Sequence, residues 1–291
     1  MPALLLFIFY FAAILFAGAL FSYPFYVIVN LVTDREYSEI IMDSTKICGL
    51  AFSFFYLYLT DTLTLAKSGL AWVSRVALAK FASGFAGGFA IILLLMISLL
   101  LLGIYGFDAD REFSAQIIVT LLISSLATGL AVGLFEETVF RGCLFSGLSK
   151  QTNVPVALLT ISLVYAAVHF IDYPVVTGSP HWLTGVNLFI PAHSMLINLE
   201  TIDAFAALFM LGVLLSLVRI HNGNIIQCIG LHAGLVTGIK IARYITEYIP
   251  GNRFDFLVSS YDHRLGFLAL LLMLVATLLY YFSTLRNQIH M

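Results

Sequence analysis

Long apolar stretches recur along the chain, separated by short clusters of charge. Residues 1–33, 81–107, 113–135, 151–171, 220–239 and 265–285 each run for 20 or more positions without Asp, Glu, Lys or Arg. A helix needs roughly 20 apolar residues to cross the hydrocarbon of a bilayer. Two shorter runs, 47–60 and 204–218, fit once their flanking charges sit at the interface. The pattern predicts eight spans, over about 3–30, 45–63, 82–104, 113–135, 153–171, 202–219, 224–245 and 264–284. Lipid cannot satisfy an open backbone, so such spans are helices or the strands of a closed barrel. Runs of Leu, Ile, Phe and Ala without strand-by-strand polar alternation exclude the barrel. The expected fold is an all-α, polytopic membrane bundle of about eight transmembrane helices.

Composition agrees. Hydrophobic residues make up 61% of the 291 positions and charged residues only 10%, against about 25% charged in soluble domains. The mean hydropathy is +1.01. Length alone would allow two soluble domains, but too little polar surface remains to cover a water-soluble core. We therefore expect one transmembrane domain over 1–291, in contact with membrane lipid. The formal net charge of −2 gives no reason to expect a nucleic-acid partner. Cys48, Cys143 and Cys228 fall in or beside apolar runs and read as small packed residues, not a disulfide frame. The first apolar run is long and has no basic segment before it, so it reads as a span and not as a cleaved signal peptide.

The connectors add detail. Residues 65–80 set Lys67, Arg75 and Lys80 among Leu, Val, Ala and Trp72, a mixture that predicts an interfacial amphipathic helix. Gly84, Gly87 and Gly88 would let the third span approach a neighbour closely. Pro174, Gly178, Pro180, Gly185 and Pro191 interrupt residues 172–200 and predict a long loop. Trp72 and Trp182 read as interface anchors. Lys and Arg divide seven against seven between the two sides, so the positive-inside rule sets no orientation.

Chemistry concentrates in Gly133-Leu134-Phe135-Glu136-Glu137-Thr138-Val139-Phe140-Arg141-Gly142. Two adjacent carboxylates close an apolar span, and ionisable groups at membrane depth are costly enough to mark function. On a helix Glu137 and Arg141 stand at i and i+4 and can pair, while Glu136 points about 100° away. One carboxylate is then held by Arg141 while the other faces a cavity. A Glu screened from bulk water can serve as a general base near neutral pH. The plain alternative is a span that ends here with solvated flanking charges. His169 closes the fifth span and His232 lies in the middle of the seventh. A single histidine on an apolar helix is ordinarily a packed residue with a backbone partner, but a ring at mid-membrane needs a partner inside the bundle.

Glu-Glu-x-x-x-Arg, then Tyr165-x-x-x-His169, then a third helix bearing His232, resembles the CAAX protease and bacteriocin-processing (CPBP) family of intramembrane endopeptidases. The resemblance covers about 113–240, the expected catalytic core. It implies that Glu136 activates the attacking water and that Glu137 and Arg141 orient and charge-balance it. By the same resemblance His169 holds the water or shuttles a proton, and His232 contributes to stabilising the oxyanion. Two positions depart from the pattern. Tyr165 stands where the family usually has Phe, and Val236 stands where a polar residue usually follows the third-helix histidine. Asn222, Asn224 or Gln227 from the start of that helix, or Thr237 beside it, are the available substitutes.

The function expected is hydrolysis of a peptide bond in a membrane-anchored protein or peptide, with no cofactor. The resemblance also suggests a cytoplasmic N-terminus, and the lack of a visible organelle address suggests a prokaryotic plasma membrane. A zinc site made of Glu136, His169 and His232 is the rival chemistry, although no His-Glu-x-x-His is present. Two rival functions remain. One is an inactive family member acting as an immunity or scaffold protein, favoured by Val236. The other is a transporter with a buried charge relay, which would predict similar halves that the sequence lacks.

Overall fold

The computed structural model describes residues 3–64, 69, 75–194 and 198–289. Its long helices are α1 (Ala3–Val29), α2 (Tyr37–Leu59), α3 (Arg75–Leu101), α4 (Ala115–Glu137), α8 (Ile202–Asn222), α9 (Ile226–Ile245) and α10 (Phe267–Ile289). Between α4 and α8 come a π-helical segment (Thr138–Leu144), α5 (Phe145–Gln151), α6 (Val154–Val168) and α7 (Thr184–Ala192). Two short strands, β1 (Tyr105–Phe107) and β2 (Thr246–Tyr248), pair antiparallel and tie the end of α3 to the end of α9.

The chain is an all-α multi-pass bundle. Among the described residues six helices are long and apolar enough to cross a membrane: α1, α2, α3, the continuous run Ala115–Gln151, α8 and α10. The expected count of eight is not reached on that measure. α6, at 15 residues, is shorter than a full span, and α9 is not among the six.

Several boundaries shift for local reasons. α2 starts at Tyr37, not near 45. Its first turns carry Glu39 and Asp43, which pair with Arg35 at 3.0 and 2.9 Å, so the helix extends beyond its apolar stretch. α4 and α6 begin on side-chain caps, Ser114 Oγ accepting from the Ile117 N–H and Asn153 Oδ1 from the Val156 N–H. The expected loop over 172–200 contains a helix, α7, in which Thr184 to Ala192 pack beside α1. The expected amphipathic helix over 65–80 lies mostly outside the described residues, Trp72 included; its last six residues form the start of α3.

α9 is the centre of the bundle, gripped from both sides by glycines at four-residue spacing. On α3, Gly84 and Gly88 abut the backbone of Gln227 and Leu231. On α9, Gly230 and Gly234 meet the backbone of Phe81 and Phe85. On α4, Gly129 and Gly133 meet the backbone of Ala233 and Ile229. A Cβ at any of these six positions would overlap a neighbouring helix, so small residues set the interhelical distance. Gly87 is different: nothing lies within 4 Å of a Cβ added there, so it takes no part in the close approach expected of it. The packing places His232, on α9, directly beside the end of α4.

Candidate active site

The site forms where α4 passes into the π segment. Glu136 and Glu137 are the last two residues of α4. The π segment then carries Phe140, Arg141 and Cys143 inward, all buried. One wider turn inside an α-helix commonly accompanies a functional site. His169 caps the end of α6, and His232 sits in the first half of α9.

These five side chains meet. Arg141 Nη1 donates to Glu137 Oε1 at 3.2 Å, and both side chains have zero exposure. Arg141 Nη2 donates to the Gly212 carbonyl of α8 at 3.2 Å. His232 Nδ1 lies 2.8 Å from Glu137 Oε1. Its Nε2 faces Glu136 Oε2 at 3.8 Å, and His169 Nε2 faces the same oxygen at 4.0 Å. The ring of Tyr165 is packed among them, 4.3 Å from the Arg141 guanidinium carbon and 4.7 Å from the His169 ring. The two carboxylates differ in their contacts: Glu137 is held by Arg141 and His232, while Glu136 Oε2 has no hydrogen-bond partner.

Hydrogen bonding fixes which ring nitrogens are bare. His169 Nδ1 lies 2.7 Å from the Tyr165 carbonyl oxygen, which can only accept, so that nitrogen carries hydrogen. His232 Nδ1 faces a carboxylate and by the same logic donates. In the neutral rings both Nε2 atoms are then lone-pair acceptors. They converge on Glu136 Oε2, itself an acceptor without a partner. Separations of 3.8 and 4.0 Å exceed a direct hydrogen bond and suit one bridging water that donates to two of the three atoms.

Glu136 opens onto an apolar cavity of about 490 Å³ between α1, α2, α4 and α6. Ile14, Met42, Gly49, Ala131 and Val168 line it, Lys46 stands among them, and Glu136 and His169 supply its reactive polar groups. The Glu136 and His169 side chains keep 22% and 29% of their exposure, so the cavity reaches these two residues, although Glu136 Oε2 itself is buried, while Glu137 and Arg141 stay sealed.

The donor types also match a catalytic zinc set, but the spacing does not. Tetrahedral zinc with bonds near 2.1 Å would draw its donor atoms to within ~3.4 Å of each other, closer than the distances given above. Among the described residues no group of three or more His, Cys, Asp and Glu side chains is arranged to hold a metal ion.

The substitutes considered for the missing polar group at Val236 are committed elsewhere. Asn222 Nδ2 donates to Gln227 Oε1 at 2.7 Å and to Tyr280 Oη at 3.1 Å. Gln227 reaches Ser83, and Asn224 Oδ1 accepts from the Ile226 N–H at the start of α9. Thr237 donates to the Ser125 carbonyl of α4. Cys143 and Cys228 are buried and free, and Cys48 is half-buried and free. His181, His193, His221 and His263 bond or stack outside the centre. Trp182 is 62% exposed and packs on Tyr23. Sequence reasoning passed over Gly212, whose carbonyl holds Arg141, because a backbone acceptor leaves no mark on residue type.

The helical membrane bundle thus gathers paired carboxylates, a buried arginine and two histidines into one cluster, of which Glu136 and His169 line the cavity. Residues 118–237 match the family model described as type II CAAX prenyl endopeptidase Rce1-like. The match runs from the first turn of α4 into the second half of α9 and takes in all five side chains. Over these residues the chain is similar to CAAX-type prenyl endopeptidases, in agreement with the resemblance read from its motifs. No curated protein and no solved structure matches it.

Proposed function

We propose that this protein is an intramembrane endopeptidase that hydrolyses a peptide bond of a membrane-anchored protein or peptide with a water activated by Glu136. The observation that carries this reading is Glu136 Oε2, a buried oxygen without a hydrogen-bond partner that is faced by two imidazole Nε2 atoms, on a residue that lines an apolar cavity.

Water bound between Glu136 and the imidazoles gives a proton to the Glu136 carboxylate, and its oxygen attacks the scissile carbonyl. Negative charge then builds on the carbonyl oxygen. His232 supports it when its ring carries both protons, because Glu137 at 2.8 Å neutralises the ring. Arg141 keeps Glu137 ionised and in place. The tetrahedral intermediate collapses as the leaving amine takes from Glu136 the proton that Glu136 accepted from water. The apolar lining favours a substrate that brings hydrocarbon with it, such as a segment held in lipid. No metal enters these steps.

The test is hydrolysis of membrane-anchored reporter peptides in proteoliposomes made with ¹⁸O-water, with and without a zinc chelator. The proposal expects one ¹⁸O atom in the new C-terminal carboxylate and a rate indifferent to the chelator. Products lacking ¹⁸O would refute water attack, and chelator-sensitive turnover would refute the metal-free form.

A further inference from the structure

Arg219 is a buried cation that the chemistry above does not use. It stands in the last turn of α8 with 8% exposure. A cation near a helix C-terminus is ordinarily a solvated group that complements the helix dipole. Arg219 is not solvated: a Cβ on Gly69 would lie 2.6 Å from its guanidinium, so that backbone covers it. Nor does it form an ion pair with any described residue. Burying an unpaired guanidinium is expensive, and its bonds indicate what offsets the cost.

Those bonds go to the site's frame. Arg219 Nε donates to the main-chain carbonyl of Arg141 at 3.4 Å, and its Nη2 donates to Ser146 Oγ at 3.4 Å. Gly212, whose carbonyl accepts from the other end of Arg141 at 3.2 Å, lies seven residues earlier on α8. Seven residues are close to two full turns, so both positions share one face. α8 therefore holds Arg141 at two points, by its guanidinium and by its backbone. Arg141 lies in the π segment, between α4 and α5. A π turn depends on its surroundings because its hydrogen bonding is less favourable than that of the flanking α-helix. The Arg219 bonds span the junction, reaching residue 141 within the π segment and residue 146 just beyond it.

We propose that Arg219 is a positioning residue for the Glu136–Glu137 centre: it holds the π turn in register, so that Arg141 meets Glu137 and Glu137 meets His232. The inference rests on the hydrolytic reading for its kinetic consequence and on geometry alone for its structural one.

Two readouts on the full-length protein in lipid nanodiscs separate these. Hydrogen exchange on R219Q should show protection lost over residues 138–146 and retained across α9. Turnover of a membrane-anchored peptide should fall by between about 10- and 100-fold in kcat with KM little changed, the signature of a misplaced group. R219K keeps the charge but loses the fork, and should recover part of the exchange protection. R219Q should add little to the loss already caused by R141M, because both act through one contact. Unchanged exchange at 138–146, or acceleration spread evenly over α8 and α9, would overturn the proposal. So would full kcat in R219Q. If the wild-type protein cleaves nothing, the hydrolytic reading fails, and the exchange data still decide the role of Arg219.

Discussion

His232 donates from Nδ1 to Oε1 of Glu137 at 2.8 Å, and the same ring turns Nε2 toward Glu136 at 3.8 Å. One imidazole thus joins the sealed carboxylate to the open one. Replacing His232 with Ala removes a buried donor from Glu137 as well as a polar atom from the water site. We expect kcat to fall by about 10²–10³-fold, the usual range for loss of one oxyanion-stabilising donor. Stability should also drop by about 1–3 kcal/mol for the acceptor left short of a partner. Turnover and denaturant unfolding in micelles measure the two effects separately.

Arg141→Met takes the guanidinium from Glu137 and leaves it only the His232 N–H, in a place where neither the Glu137 nor the Arg141 side chain touches solvent. Breaking a buried pair from one side costs about 3–5 kcal/mol. The double variant Arg141→Met with Glu137→Gln removes both charges and should be more stable than Arg141→Met alone. Equal unfolding midpoints for the single and double variants would show that the pair is not energetically coupled.

Gly88→Leu should separate α3 from α9, because any side chain at residue 88 meets the Leu231 carbonyl. Since α9 carries His232, we expect loss of activity together with a lowered melting temperature. Gly87→Ala, one position away and facing open space, should leave both within error of wild type. Thermal melts of the two variants provide the comparison.

Filling the cavity tests substrate access. Gly49 lies on its wall, and the nearest atom to an added Cβ there is Ile14 Cγ2 at 3.8 Å, an ordinary contact. Gly49→Phe should therefore fold but occupy the space over Glu136. KM for a lipid-anchored peptide should rise about tenfold or more, corresponding to at least ~1.4 kcal/mol of lost binding, with the melting temperature little changed.

Much of the site was legible because its logic is local. The four-residue step from Glu137 to Arg141 predicts their pairing, and the one-residue step from Glu136 predicts its different outlook; both hold. The π segment was not legible, since a change of backbone hydrogen-bond register leaves the apolar pattern intact. The glycine pairs at 129 and 133 and at 230 and 234 stood in plain view, but spacing alone does not say which helix they meet. α7 was hidden by the Pro and Gly residues around it, although Pro191 falls in its last turn, where it disrupts little. Arg219 looked like a flanking charge because only the fold brings Gly69 over it. The polar group missing at Val236 has no side-chain replacement among the residues considered, and in the proposed mechanism the imidazole of His232 carries that role.

The most direct measurement is turnover by Glu136→Gln in proteoliposomes, compared with wild type at matched amounts of folded protein. Gln keeps the shape of the side chain and removes its capacity to take a proton from water. The account predicts a fall of about 10²–10⁴-fold in kcat, with the melting temperature held, because Glu136 Oε2 bonds to no described residue. Cleavage at the wild-type rate by this variant would contradict it.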